Sequence, residues 1–114
     1  MAINYNLSKV HAISDNDPDF VFEILRLFVT EIPKDYKNME LGIKEKDYKQ
    51  AYAFAHKMKP SLDLLGMLIT YDEIIQVEAW TKSEGKRKEI EATCYSIKKQ
   101  LEKAIKEIKK DFEV

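Results

Sequence analysis

The sequence contains few of the residues that cross-link, bend or interrupt a chain: its 114 residues include one cysteine, three glycines and three prolines. A single cysteine excludes an internal disulfide framework, and we expect Cys94 to pack as a small core residue. No apolar run reaches the roughly 18 residues that a membrane span needs, and the amino terminus lacks the apolar segment of a secretory signal peptide. We therefore expect a cytoplasmic protein that does not enter a membrane.

Charge of one sign is also lacking, because 19 Lys and Arg residues nearly cancel 20 Asp and Glu residues. Such a balance provides no field to attract nucleic acid or anionic lipid, so we expect neither as a partner. There is no glycine-rich loop for a nucleotide phosphate, and no Glu-x-x-His pair for a metal in a helical bundle. We accordingly expect no metal and no cofactor.

Apolar residues recur at helical spacing along almost the whole chain, and no segment alternates as a strand would. Asp17 and Pro18 mark the start of a long helix, as its N-cap and its first residue. Asp47 starts the next helix, with Gln50 as a capping-box partner, and this helix should end near Gly66. Two of the long helices therefore have start signals in the sequence itself.

Two further helices complete the chain. Thr70 and Glu73 form a second capping-box pattern, so a third long helix should begin around Tyr71 and end before Gly85. The last helix follows from about Lys86, with apolar residues at a 4-3-4-3-4 spacing.

Four amphipathic helices joined by short turns, preceded by a short helical turn over residues 8–12, define the expected fold. They predict an all-α, antiparallel four-helix bundle with a short N-terminal helix. We expect a single domain over residues 1–114, and a monomer. The alternative is a coiled-coil dimer through the heptad-like last helix, although that helix spans fewer than four heptads.

The two longest apolar stripes predict which residues are buried. Pro33 lies within the first of these helices and should kink it, because proline removes the hydrogen bond to the carbonyl of Val29. The predicted buried face of this helix consists of Phe20, Ile24, Leu27, Phe28, Ile32, Tyr36, Met39 and Ile43. The predicted buried face of the next helix consists of Tyr48, Ala51, Tyr52, Ala55, Met58, Leu62 and Leu65.

His56 lies away from that second stripe. At about 100° per residue it is roughly 140° from the stripe's centre, so it should face solvent or the edge of a neighbouring helix. Lys59 follows one turn later, where its ammonium can approach the imidazole. This spacing alone is equally typical of solvated surface residues. The other histidine, His11, has no acid or thiol partner, and we expect it at the surface.

The sequence around His56 closely resembles the signature of histidine phosphotransfer domains. In that family the histidine is followed by lysine at +3, by small residues, and by glycine at +10. His56, Lys59, Ser61 and Gly66 match this pattern in register. The resemblance covers about residues 5 to 82 and includes Tyr5-Asn6-Leu7-Ser8, Asp17, Phe20, Phe28 and Asp47.

The resemblance implies a phosphorelay protein that accepts a phosphoryl group on His56 from a receiver-domain aspartate and passes it to another receiver. Lys59 would offset part of the roughly −2 charge of the phosphoryl group. The partners would be response-regulator receivers and a hybrid sensor histidine kinase, with Mg²⁺ on the receiver only. The protein would not be an enzyme in the usual sense, since His56 is consumed and regenerated stoichiometrically. The expected docking face consists of Lys57, Pro60, Ser61, Asp63, Gly66 and Met67, with Ile13 as a further apolar candidate.

Glu78 is a carboxylate on the apolar face of its helix, where it needs a partner. It falls at +22 from His56, where the family tends to carry Gln or Glu that hydrogen-bonds the imidazole. The resemblance therefore implies that Glu78 orients the ring. The alternative is a helix-edge carboxylate that pairs with a surface lysine.

Pro60 departs from the family pattern, which usually has glycine at +4. Proline has no N–H, so the carbonyl of His56 loses its helical partner. We expect Pro60 to kink the helix and to restrict which receivers fit. This departure keeps one alternative open, an inactive relative that only binds receivers. A separate alternative is an unrelated bundle that self-associates through its last helix.

Overall fold

The computed structural model describes residues 4–114, and within that range it contains five helices and no strand. The helices are α1 (Ser8–Ser14), α2 (Pro18–Lys44), α3 (Tyr48–Leu64), α4 (Leu68–Lys82) and α5 (Arg87–Phe112). The four long helices pack in chain order, α5 returns to pack against α2, and α1 lies on α2. The expected all-α four-helix bundle with a short N-terminal helix is therefore confirmed. Across residues 4–114, no helix is long and apolar enough to cross a membrane.

The starts of α2 and α3 are where the sequence predicted them. The Asp17 carboxylate accepts from the N–H of Asp19 at 3.0 Å, and the Asp47 carboxylate accepts from the N–H of Gln50 at 3.1 Å. The expected capping-box contact of Gln50 with Asp47 is wrong, because the Gln50 amide donates to the carbonyl of Asn38 on α2. Gln50 thus links two helices instead of closing one.

The predicted start of α4 is wrong by three residues. The helix begins at Leu68, and Thr70 is inside it and 1% exposed. The Thr70 hydroxyl donates to Oε1 of Gln100 on α5, so it contacts a neighbouring helix and caps nothing. Gly66 explains the early start, because its φ of 65° ends α3 and lets the chain re-enter a helix within two residues.

The core is formed mainly by one face of each long helix. Leu25, Met39, Met58 and Ile74 are completely buried. The predicted face of α2 is partly wrong, since Phe20 and Leu27 are 48% and 54% exposed, and the predicted face of α3 includes Tyr48 and Tyr52, which are only half-buried.

Both helices that contain a proline continue past it, α2 through Pro33 to Lys44 and α3 through Pro60 to Leu64. The kinks expected at these two residues stay predictions.

Candidate functional site

His56 lies on the outer surface of α3, with its side chain 60% exposed. Nδ1 of its ring is 2.9 Å from Oε2 of Glu78, which projects from the neighbouring helix α4. The Glu78 side chain is only 9% exposed, so the contact lies at the boundary between the core and solvent. One ring nitrogen is therefore held by the protein while most of the imidazole remains accessible.

Lys59 occupies the other oxygen of the same carboxylate. Its Nζ donates to Oε1 of Glu78 at 3.0 Å, and its side chain is 22% exposed. This hydrogen bond raises the pKa of the Lys59 ammonium, so the lysine is charged at neutral pH. Glu78 thus contacts both the imidazole and a lysine, but it is buried and not at the helix edge. Its role in orienting the ring stays a prediction.

The contacts of Glu78 favour one proton arrangement on the ring. Because Glu78 already accepts from Lys59 and a carboxylate is an acceptor, the contact favours the tautomer with its proton on Nδ1. In the neutral ring, Nε2 then carries the lone pair. No hydrogen bond to Nε2 occurs among residues 4–114. Nε2 therefore has no hydrogen bond within the described part of the chain, and the imidazole shares the Glu78 carboxylate with the Lys59 ammonium.

A second buried carboxylate lies on the other side of α3. Asp35 of α2 is 5% exposed, and its Oδ1 accepts from Nζ of Lys57 at 2.9 Å. The hydrogen bond to Asp35 raises the pKa of the Lys57 ammonium. Lys57 was expected on the docking face, and its side chain is indeed 56% exposed, but its charge is directed toward α2.

The remaining residues of the expected docking face separate into accessible and inaccessible ones. Pro60 is exposed, Ser61 is half-buried, and Asp63 binds Lys9 of α1 at 2.7 Å in an exposed ion pair. Ile13 on α1 is 61% exposed. Asp63 therefore connects α3 to the first helix at the surface.

Met67 was expected to be exposed, and that prediction is wrong: it is 6% exposed and belongs to the core. The turn at Gly66 redirects the chain, so helical spacing from His56 no longer applies at Met67. A Cβ on Gly66 would lie 2.8 Å from Cβ of Asn6. Gly66 therefore serves the turn and the close approach of the N-terminal segment.

A surface cleft of about 340 Å³ lies between α2 and α3, on the side of α3 that carries Lys57. Its lining includes the exposed Leu27 together with Ile24, Lys57, Ser61 and Leu64. Most of its lining side chains are apolar, and the buried Asp35 and the exposed Glu31 and Lys57 are the charged ones. Such a surface is suited to a transient protein partner.

Two features of the site were not predicted from the sequence. Asp35 lies on the apolar face of α2 between Ile32 and Met39, the same signal that identified Glu78. Tyr52 lies one turn before His56, and the i,i+4 rule alone would have placed the two side chains together. Within residues 4–114, no group of three or more His, Cys, Asp or Glu side chains could hold a metal ion.

The fold and the site together define a class: an all-helical bundle with an exposed, carboxylate-held histidine on its second long helix. No protein-family model matches the sequence, and no significant match exists among curated proteins. Among solved structures, the chain is similar to the HPT domain of an Hpt sensor hybrid histidine kinase from Shewanella, with a TM-score of 0.79 and 14% sequence identity. The alignment covers 96% of this chain and 94% of that one. The chain therefore has the fold of a histidine phosphotransfer domain over nearly its whole length.

Proposed function

We propose that the protein is a histidine phosphotransfer protein of a two-component phosphorelay, which accepts a phosphoryl group on Nε2 of His56 from one receiver and passes it to another. The observation that carries this proposal is the contact between Nδ1 of His56 and Glu78, which leaves Nε2 exposed. The contact supports the proposal because it holds one ring nitrogen and leaves the other without a hydrogen bond to any described residue, on a side chain that is 60% exposed.

The transfer step follows from this arrangement. The lone pair of Nε2 attacks the phosphorus of a receiver's aspartyl phosphate, an N–P bond forms, and the P–O bond to the aspartate breaks. The aspartate leaves as a carboxylate with that electron pair. The ring keeps its Nδ1 proton and becomes cationic, and the Glu78 carboxylate stabilises that charge. Transfer to the second receiver reverses these bond changes.

Lys59 provides the positive charge that the phosphoryl group requires. Its ammonium is already within the site, bound to Glu78 at 3.0 Å. Phosphorylation adds a charge of roughly −2 at Nε2, which attracts the ammonium without a large movement of the chain. Phosphoryl transfer depends chiefly on positioning and charge stabilisation, and the site supplies both.

The receiver would dock over His56 and the cleft between α2 and α3. Leu27 and Pro60 provide exposed apolar surface there, and Ser61 lines the cleft between them. Mg²⁺ would be bound by the receiver and not by this chain. The protein would act stoichiometrically and not as an enzyme, downstream of a hybrid sensor kinase or another receiver.

A second candidate function is a binding-only module that docks receivers without accepting phosphate. The exposed Pro60, one turn beyond His56, is the observation that favours it, because its ring occupies surface near the imidazole. Replacing Pro60 with glycine distinguishes the two: the binding-only function predicts that transfer appears only in the variant.

The deciding experiment is incubation of the protein with a phosphorylated receiver. We expect an acid-labile, base-stable label that disappears in His56→Gln and remains in His11→Gln, the matched control at the other histidine. Absence of label across a panel of receivers, or equal label in both variants, would contradict the proposed function.

A further inference from the structure

Tyr52 stacks on the proposed phosphoacceptor. It lies one turn before His56 on α3, and the two ring centroids are 5.5 Å apart with an interplanar angle of 13°. Helical side chains project back over the preceding turn, which directs the imidazole onto the tyrosine ring. Tyr52 itself is half-buried, whereas His56 is exposed.

The neighbouring helix α4 contacts Tyr52 as well as His56. Nζ of Lys82 lies 5.5 Å from the centroid of the Tyr52 ring, a cation–π distance. Lys82 follows Glu78 by one turn on α4, just as His56 follows Tyr52 by one turn on α3. Two successive contacts therefore cross from α3 to α4, one at the imidazole and one at the ring stacked on it.

We propose that Tyr52 is a positioning residue for phosphoryl transfer at His56, an inference that rests on the function proposed above. The hydrogen bond from Nδ1 to Glu78 fixes one atom of the ring but lets the ring tilt about that bond. The stacked tyrosine fixes the plane of the ring. The two contacts together determine the direction in which the Nε2 lone pair points.

That direction matters because the attacking and leaving atoms must be roughly in line at phosphorus. An exposed histidine held by one hydrogen bond would spend much of its time pointing elsewhere, and the fraction of productive encounters would fall. The tyrosine contributes only its ring face, so phenylalanine should serve equally well.

The test uses the 114-residue chain and phosphoramidate, a small donor that needs no docking surface. In this reaction the P–N bond of the donor breaks, ammonia leaves, and an N–P bond forms at His56. We expect Tyr52→Ala to slow phosphorylation about three- to tenfold and Tyr52→Phe to stay within about twofold of the wild type. Tyr95→Ala is the matched control, because Tyr95 also lies beneath a lysine, Lys99, but on α5. Its rate should equal that of the wild type.

Proton NMR of the His56 ring provides a readout that does not depend on transfer. Stacking shifts the ring-proton resonances, and we expect this shift to be lost in Tyr52→Ala and kept in Tyr52→Phe and Tyr95→Ala. Wild-type rates in Tyr52→Ala, or equal slowing in both Tyr52 variants, would overturn the positioning role. If the wild type shows the NMR shift but accepts no phosphoryl group, the proposed function fails and the stacked geometry stands.

Discussion

Asp35 and Glu78 are two carboxylates buried on opposite sides of α3, and each binds a lysine of that helix. Asp35 holds Lys57 from α2, and the lysine side chain remains 56% exposed. Glu78 holds Lys59 from α4 with one oxygen and Nδ1 of His56 with the other. Both pairs connect α3 to a neighbouring helix, but only one of them contacts a group that can act as a nucleophile.

The difference shows that burial of a charged group does not by itself identify a functional site. A buried carboxylate needs a partner in either case, because an unpaired charge in the core is costly. What distinguishes Glu78 is its second contact, which is with Nδ1 of an exposed imidazole. The Asp35–Lys57 pair therefore serves for comparison, as a buried carboxylate that binds a lysine of α3 but no histidine.

The largest expected effect concerns transfer itself. We expect Glu78→Ala to slow phosphorylation of His56 by phosphoramidate about 30- to 100-fold, because the ring loses its fixed tautomer and orientation. Asp35→Ala should change this rate by less than about threefold, since Asp35 contacts only Lys57. Glu78→Gln should retain much of the rate, because its amide oxygen can still accept from Nδ1. If Glu78→Ala and Asp35→Ala slowed phosphorylation equally, the claim that only Glu78 acts on His56 would be wrong.

A smaller effect is expected where the receiver docks. Leu27 is 54% exposed in the cleft beside Lys57, on the Asp35 side of α3. A charge there should weaken an apolar contact with the receiver. We expect Leu27→Asp to lower the ratio of the receiver-dependent rate to the phosphoramidate rate about tenfold. Leu41→Asp, at another exposed leucine of α2, is the control and should leave the ratio unchanged. An unchanged ratio in Leu27→Asp would show that the receiver does not dock at Leu27.

The stability of the two pairs should also differ. Lys57→Met leaves the Asp35 carboxylate buried without its cation, and we expect the midpoint of thermal unfolding to fall by roughly 5 °C. Lys59→Met should lower it less, because Glu78 keeps the imidazole N–H as a partner.

Two further variants control for this comparison. The double variant Asp35→Leu/Lys57→Met removes both charges and should recover most of the loss. Lys49→Met, at an exposed lysine of α3, should leave the midpoint unchanged. A larger fall in Lys59→Met than in Lys57→Met would contradict this ranking.

The smallest effect is expected at Cys94, which lines a cleft between α2 and α5 away from both carboxylates. Burial raises the pKa of its thiol to about 12 from a reference of 9.0. At neutral pH the thiolate fraction should therefore be well below that of a free cysteine. Iodoacetamide should alkylate the folded protein slowly, and the rate should rise about tenfold per pH unit between pH 7 and 9. Rapid alkylation at pH 7 would show that the bundle opens there.

The parts of the fold that local chemistry determines could be predicted from the sequence. Asp17 and Asp47 cap their helices because each needs only an N–H within three residues. Thr70 has the same local pattern but contacts Gln100 from another helix, a partner that spacing along the chain does not reveal. Met67 was misplaced because helical periodicity ends at the turn formed by Gly66.

Of the two buried carboxylates at the site, the sequence predicted Glu78 but not Asp35. A charge on an apolar helix face identified Glu78, and its partners could be inferred because the family resemblance relates its position to His56. Asp35 shows the same signal, but no motif relates it to Lys57, so only the packing of α2 against α3 reveals the pair.

The central claim is that Nε2 of His56 receives the phosphoryl group while Glu78 holds Nδ1. The most direct measurement is a phosphorus–nitrogen correlation NMR spectrum of ¹⁵N-labelled protein after reaction with phosphoramidate. We predict a single phosphohistidine, at His56, with phosphorus coupled to Nε2 and a proton retained on Nδ1. Phosphorus on Nδ1, or no phosphohistidine at His56, would contradict the claim.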